Sequence, residues 1–465
     1  VTLARSTYKP DTQVVGVAAL CVLASGLGLY ALLSGRPDLG FHWMAALGIL
    51  IALVVSRKRL APLYLSPVAI VSIGIVGMAL VGAAFYSSVQ YAATGGSIRA
   101  ILTDAETAAT MTAMFVLAAA VLTGGLLVAW IAPRIEPTRQ LSTEWQVSAG
   151  TLGLMVFAGF IPGLLIVVLR GSDLLRRNFY IEDHEAGSSI LGLAGQLSIA
   201  AVIIMGYAFM RGRGGVRFLA LLGGAGYLAI FFANGSRRLA LWPILFALGM
   251  LIARRNRATI TALVLSLPAA VGLVGIALFL RGLDQHGLVA YLERLPLLSA
   301  YPIDWSSVSR NVLISFGIIG ATAFQQPQID PGLFWVSVNP LPGGLVGWYG
   351  EAADLRLNYY TPYAAIGELA NHGTLYLVGY GLIVGVILGG LDRSVQKLTK
   401  NGHDIFALAL VGLSAMFLLL SMQYTLRAST RLLVYGVLIA IAVGWLSGVL
   451  ARQRARRDAA PHWRR

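Results

Sequence analysis

Residues 216–253 read VRFLALLGGAGYLAIFFANGSRRLALWPILFALGMLIA. Two apolar runs, Val216–Ala233 and Leu239–Ala253, flank the polar gap Asn234-Gly235-Ser236-Arg237-Arg238. An apolar run of about 20 residues is what a helix needs to cross a bilayer's hydrocarbon core. The stretch therefore predicts two spanning helices joined by a tight turn. An arginine near hydrocarbon costs several kcal/mol unless it snorkels or meets an anion, so the pair is a candidate functional feature. The plainer alternative is a turn whose arginines anchor to lipid headgroups. Which side of the membrane the pair faces bears on the choice.

Composition agrees with a membrane chain. Of the 465 residues, 57% are hydrophobic and 12% charged, and mean hydropathy is +0.76. Soluble domains carry roughly 25% charged residues. The net charge of +15 and the pI of about 10.1 fit charge sorting across a bilayer better than nucleic-acid binding, and no nucleic-acid partner is expected. The single cysteine, Cys21, lies in an apolar run and has no intrachain disulfide partner. Arg5 and Lys9 precede an apolar stretch without a clear small-x-small cleavage site, so 13–34 reads as a retained first helix.

The expected fold is an all-α polytopic membrane protein with about twelve spans. The candidates are 13–34, 39–55, 66–86, 109–132, 147–169, 190–210, 216–233, 239–253, 258–280, 363–391, 404–424 and 431–451. The run 363–391 is too long for one straight crossing, so its first turns are expected outside the hydrocarbon or re-entering it. With the N-terminus in the cytoplasm, the inner segments hold 22 of the 35 basic residues and 6 of the 20 acidic ones. The outer face then holds 13 basic and 14 acidic residues. An excess of lysine and arginine marks cytoplasmic loops, so both termini are placed inside. All outer cations are arginine, whose planar fork suits bidentate binding of phosphate or carboxylate. No internal repeat or linker is evident, and 1–465 reads as one integral membrane domain.

One outer segment, 281–362, is long for a connection in a compact fold, and such loops are usually functional. Ser309 is placed to cap a short amphipathic helix near 310–324. Pro340, Pro342, Gly343 and Gly344 break the chain beyond it. The loop is rich in aromatics, among them Trp348, Tyr349 and Tyr360, read as platforms for sugar rings or as part of an interfacial belt.

On this topology Arg237 and Arg238 face outward. So do Arg427 and Arg431, whose i, i+4 spacing puts them on one helical face, and Arg281 at the outer end of its span. These five are the candidate anion ligands. Glu368 and His372, also i, i+4, are the candidate general bases, with Glu368 favoured and Glu351 and Asp354 weaker. The run Glu182-Asp183-His184-Glu185 reads as a solvated loop, since four consecutive ligands do not converge from regular structure. Phosphate-loop, His-Glu-x-x-His and Gly-x-Ser-x-Gly patterns are lacking. No metal and no cofactor are expected.

Asn234-Gly235-Ser236-Arg237-Arg238 opening a helix, the long late outer loop, and Tyr363 through His372 leading into the next helix together resemble the bacterial O-antigen and oligosaccharide repeat-unit polymerases of the Wzy type. O-antigen ligases share the general plan, but Gly373 directly after His372 departs from the ligase histidine motif. The resemblance implies a GT-C-like fold in the bacterial inner membrane. It implies a metal-independent glycosyltransferase that takes an undecaprenyl-pyrophosphate-linked glycan and transfers it to the next lipid-linked unit, in the lipid bilayer and with a chain-length regulator as a possible partner. Outer arginines would hold the departing pyrophosphate, and Glu368 or His372 would deprotonate the acceptor hydroxyl. The rival readings are the ligase, with a lipid A core acceptor, and a flippase or secondary transporter, which would carry mid-span charge and a two-fold repeat. Arg238→Ala and Glu368→Gln, made separately, are each expected to reduce the amount or length of long-chain glycan on a gel. Normal product with either variant removes that residue from the site.

Overall fold

The computed structural model describes residues 37–90, 102–133, 135, 149–178, 188–235, 238–254, 256–299, 314–341, 343–351, 355–358, 361–401, 404–434, 436–438 and 440–441. The expected first span, 13–34, lies outside them. In chain order the helices are α1 (Pro37–Ser56), α2 (Pro67–Gln90), α3 (Asp104–Ile131), α4 (Ala149–Arg170), α5 (Ser188–Arg211), α6 (Gly215–Ala233), α7 (Arg238–Ala253), α8 (Arg257–Arg281) and α9 (Leu288–Arg294). Next come α10 (Ile314–Gln325), α11 (Pro331–Val338) and α12 (Trp348–Glu351). A two-stranded antiparallel ribbon follows, β1 (Arg356–Asn358) with β2 (Thr361–Pro362). The chain continues as α13 (Ala365–His372), α14 (Thr374–Lys400), α15 (Asp404–Gln423) and α16, which starts at 426 and is described in stretches to 441.

Seven of these helices contain stretches long and apolar enough to cross a membrane, in α2, α3, α4, α6, α8, α14 and α15, with shorter apolar segments in α1, α5, α7 and α10. The long run from 363 does not form one helix. It breaks at Gly373, whose φ of 109° favours glycine, into the short α13 and the spanning α14. The helix expected near 310–324 is present as α10 from Ile314, its last turn a π-helix over Ala321–Gln325. Residues 300–313, with Ser309, lie outside the described residues. The eight-residue α11 was not foreseen. Asp330 caps it, accepting from the Gly332 amide at 2.7 Å, and Pro331 occupies its first turn.

The chain forms two compact units, 141–311 and the remainder, each described here by itself. In the remainder, α3 and α14 pack backbone to backbone. Gly381, Gly385 and Gly389 recur every fourth residue on α14, facing Leu117, Ala120, Val121, Gly124 and Gly125 of α3. A Cβ on Gly385 would lie 2.2 Å from the Val121 carbonyl oxygen. Lipid tails are as apolar as leucine, so helices associate here through close van der Waals fit, which small residues permit. The α3 N-terminus carries a reciprocal cap: Thr103 Oγ1 accepts from the Glu106 amide at 3.2 Å, and Glu106 returns the favour to the Thr103 amide at 2.7 Å. At the other end of α14, buried Asp392 accepts from the Ala61 amide at 2.6 Å and from Ser66 Oγ. Arg393 donates to the Ala129 and Ala132 carbonyls at the end of α3.

In the 141–311 unit, α5 and α7 also meet through glycines: a Cβ on Gly206 or Gly249 would reach a facing carbonyl at 2.1 Å. Pro162 interrupts α4. Beside it the Tyr227 hydroxyl donates to the Gly159 carbonyl at 2.6 Å and accepts from the Gly163 amide at 2.9 Å, the pair a regular helix would bond directly.

Gly385→Ala is expected to cost about 1–3 kcal/mol by overpacking the α3–α14 seam, read as a lower unfolding midpoint in bicelles. Gly390→Ala, on the same helix with open space around its Cα, is expected to leave the midpoint unchanged or raise it slightly.

Candidate functional site

Glu368 sits on α13 and is fully buried, at 0% exposure. An ionised carboxylate taken from water needs its lone pairs answered. Oε1 accepts from Ser337 Oγ of α11 at 2.7 Å, and Oε2 accepts from the Leu426 amide at 3.0 Å. Leu426 opens α16, so the carboxylate lies at the positive end of a helix, where unbonded amides point outward. Burial still dominates: it pushes the Glu368 carboxyl up to about 7, against the lowering effect of the two hydrogen bonds. The start of α13 is tied to the same turn by a bond from the Ala365 amide to the Tyr424 carbonyl at 2.8 Å. Gly367 lets α13 lie close on α10, since a Cβ there would meet the Ile319 carbonyl at 2.5 Å.

Arg427 follows one residue later and is also buried. Its Nη1 donates to the Val336 carbonyl at 2.7 Å and the Asn339 carbonyl at 2.8 Å, and its Nη2 donates to the Leu341 carbonyl. Arg431, one turn on, donates to that same Leu341 oxygen at 2.9 Å. The guanidiniums thus hold the end of α11 and the segment beyond it, where helix carbonyls lack partners and cations are favoured. Trp348 lies under Arg427, with the guanidinium carbon 5.1 Å from the ring centroid.

His372 ends α13 and is 7% exposed. Neither ring nitrogen has a hydrogen-bond partner among the described residues. Phe334 of α11 meets the imidazole edge-on at 5.7 Å between centroids, and Tyr376 lies at 5.3 Å. Burial holds its pKa below the usual histidine range, with the Asp330 charge pulling the other way, so the ring is neutral at neutral pH.

Asn371 lies inside the stretch from Tyr363 to His372. Its Oδ1 accepts from the Ile329 amide at 2.8 Å, while Nδ2 donates to the Thr322, Gln326 and Pro327 carbonyls at 3.2 to 3.4 Å. The side chain thereby fixes the link between α10 and α11. The only sequence signal for it was a polar residue beside the Glu368–His372 face.

The structure brings Glu368, Arg427, Arg431 and Trp348 together around residues 336–341, with His372 under α11. Glu351 is exposed, and Asp354 lies outside the described residues. So do Arg237 and Tyr360, the run 182–185, and the side chains of Arg281 and Tyr349. Arg238 opens α7 in the 141–311 unit, its Nη1 packed where a Cβ on Gly195 of α5 would lie 2.2 Å away. That unit also holds buried Arg177, which donates to the Asp173 carbonyl at 2.9 Å and to the Ala233 carbonyl at the end of α6. Among the described residues no group of three or more histidine, cysteine or acidic side chains is placed to hold a metal ion.

These features define a multi-pass helical membrane protein. No protein-family profile, curated protein or solved structure matches the chain.

The Glu368 carboxyl is expected to titrate near neutral pH. The infrared carbonyl band removed by Glu368→Gln should be half lost near pH 7 as the group ionises on raising pH. Loss of the band near the ordinary value of 4.5 would contradict the buried setting.

Proposed function

We propose that the chain is a glycosyltransferase that polymerises undecaprenyl-pyrophosphate-linked oligosaccharide repeat units at the periplasmic side of the bacterial inner membrane. On this reading about twelve helices span the membrane, both termini are cytoplasmic, and 281–362 lies in the periplasm. The observation that carries it is the buried His372, whose ring nitrogens have no hydrogen-bond partner among the described residues, on a short helix packed beside α16, which bears two guanidiniums. Transfer of a glycan from a lipid diphosphate needs a proton acceptor and a cationic site for the leaving group.

In the proposed step the acceptor sugar's hydroxyl attacks the donor's anomeric carbon. The bond from that carbon to the diphosphate oxygen breaks, and the hydroxyl proton passes to His372. Arg427 and Arg431 stabilise the departing lipid diphosphate by preorganised charge, so the reading needs no metal. Trp348 offers a ring face to the glycan, a role given to Tyr349 and Tyr360 on sequence grounds alone. Glu368 takes a positioning role in place of the base role favoured from sequence, because both its oxygens are engaged and it is fully buried.

Purified protein in nanodiscs, given lipid-linked repeat units, is expected to yield a ladder of lengths. His372→Gln should lower the rate by about 10²–10⁴-fold, the usual share of a general base, while Glu368→Gln keeps a reduced but measurable rate. A single transfer to lipid A core would make the protein a ligase. Translocation without bond formation would make it a flippase.

A further inference from the structure

Residues 331–341 form one covering segment, α11 and the turn after it, fastened at two points. Ser337 is held by Glu368, and the Val336, Asn339 and Leu341 carbonyls are held by Arg427 and Arg431. Its inner side puts Phe334 against His372. Its outer side exposes Trp335 and Leu341. Two guanidiniums share the neutral Leu341 oxygen. An anion would answer both guanidiniums far better than a shared peptide carbonyl does. The Arg431 Nε is buried with no hydrogen-bond partner among the described residues, so that fork is only partly used.

From this we infer that 331–341 is a displaceable cover: a diphosphate group takes Arg427 and Arg431 from the segment's carbonyls, the segment lifts, and His372 is uncovered. The inference rests on the function proposed above and adds its regulation, since the imidazole is reachable only when the anion is in place. It accounts for a histidine that is buried and has no hydrogen-bond partner among the described residues in the closed state. It also gives the carbonyl-bound arginines a second set of partners without moving α16. A cover of this kind is a two-state element, and the anion biases it by binding one state better than the other.

The test is pulsed diethyl pyrocarbonate labelling of the full-length protein in nanodiscs, read at the His372 peptide by mass spectrometry. One arm receives inorganic pyrophosphate and another a polyprenyl diphosphate in the nanodisc lipid. Labelling of His372 is expected to rise at least about tenfold, as for a cover open in up to about 10% of molecules at rest. A response to both ligands makes diphosphate chemistry sufficient, and a response to the lipid alone assigns the site to a lipid headgroup; either supports the cover. Arg431→Ala and the conservative Arg427→Lys should raise the unliganded rate and shrink the ligand response. Unchanged labelling with both diphosphates, or a full response in both variants, overturns the proposal. Polymerisation is assayed separately on the same protein. A cover that opens in a protein making no polymer refutes the function alone, whereas polymer made under a cover that never opens refutes the cover alone.

Discussion

Buried charge in the unit built from the chain's two ends is answered by helix termini, and the arrangement around Glu368 depends on that. The carboxylate sits at the amide end of α16, and Arg427 sits at the carbonyl end of α11, with Arg431 on the turn beyond it. Each sign of charge meets the matching end of a helix. Because Glu368 also takes the Ser337 hydroxyl, α11, α13 and α16 share one polar joint. Without it, a fully buried carboxylate would lose an acceptor bond in a medium that solvates it poorly, a loss typically worth 1–3 kcal/mol or more.

The same logic explains why this site sits on short elements. Spanning helices satisfy their own backbone groups and present apolar side chains to lipid or to glycine-lined neighbours. Only where helices stop are unbonded amides and carbonyls available to charged side chains. The break at Gly373 makes such an end for α13, and the start at 426 makes one for α16. Arg393, toward the far end of α14, repeats the pattern on the last carbonyls of α3. Charge that is costly inside a membrane is thus concentrated where the backbone can receive it.

Much of the helical layout was legible in the sequence, because hydropathy over about 20 residues is a strong local signal. The apolar runs from 39 to 280 and from 404 to 424 recur as helices close to their expected bounds. The pair Glu368–His372 was visible through its i, i+4 spacing alone. Their partners were not, since Ser337 and Leu426 lie 31 and 58 residues from Glu368 and no local pattern links them. Helix α11 was missed because its eight residues are nearly all apolar and give no helical period. The glycine seam of Gly381, Gly385 and Gly389 was present as a regular spacing, but spacing does not name the facing helix.

The joint itself is the point to test. A double-mutant cycle of Ser337→Ala with Glu368→Leu, which removes the acceptor at similar volume, read as unfolding free energy in bicelles, isolates the interaction between the two side chains. A coupling of about 0.5–3 kcal/mol is the result expected for groups sharing one buried hydrogen bond. Additivity within about 0.3 kcal/mol would mean that α11 is not fastened through Glu368, and would contradict the account built on it.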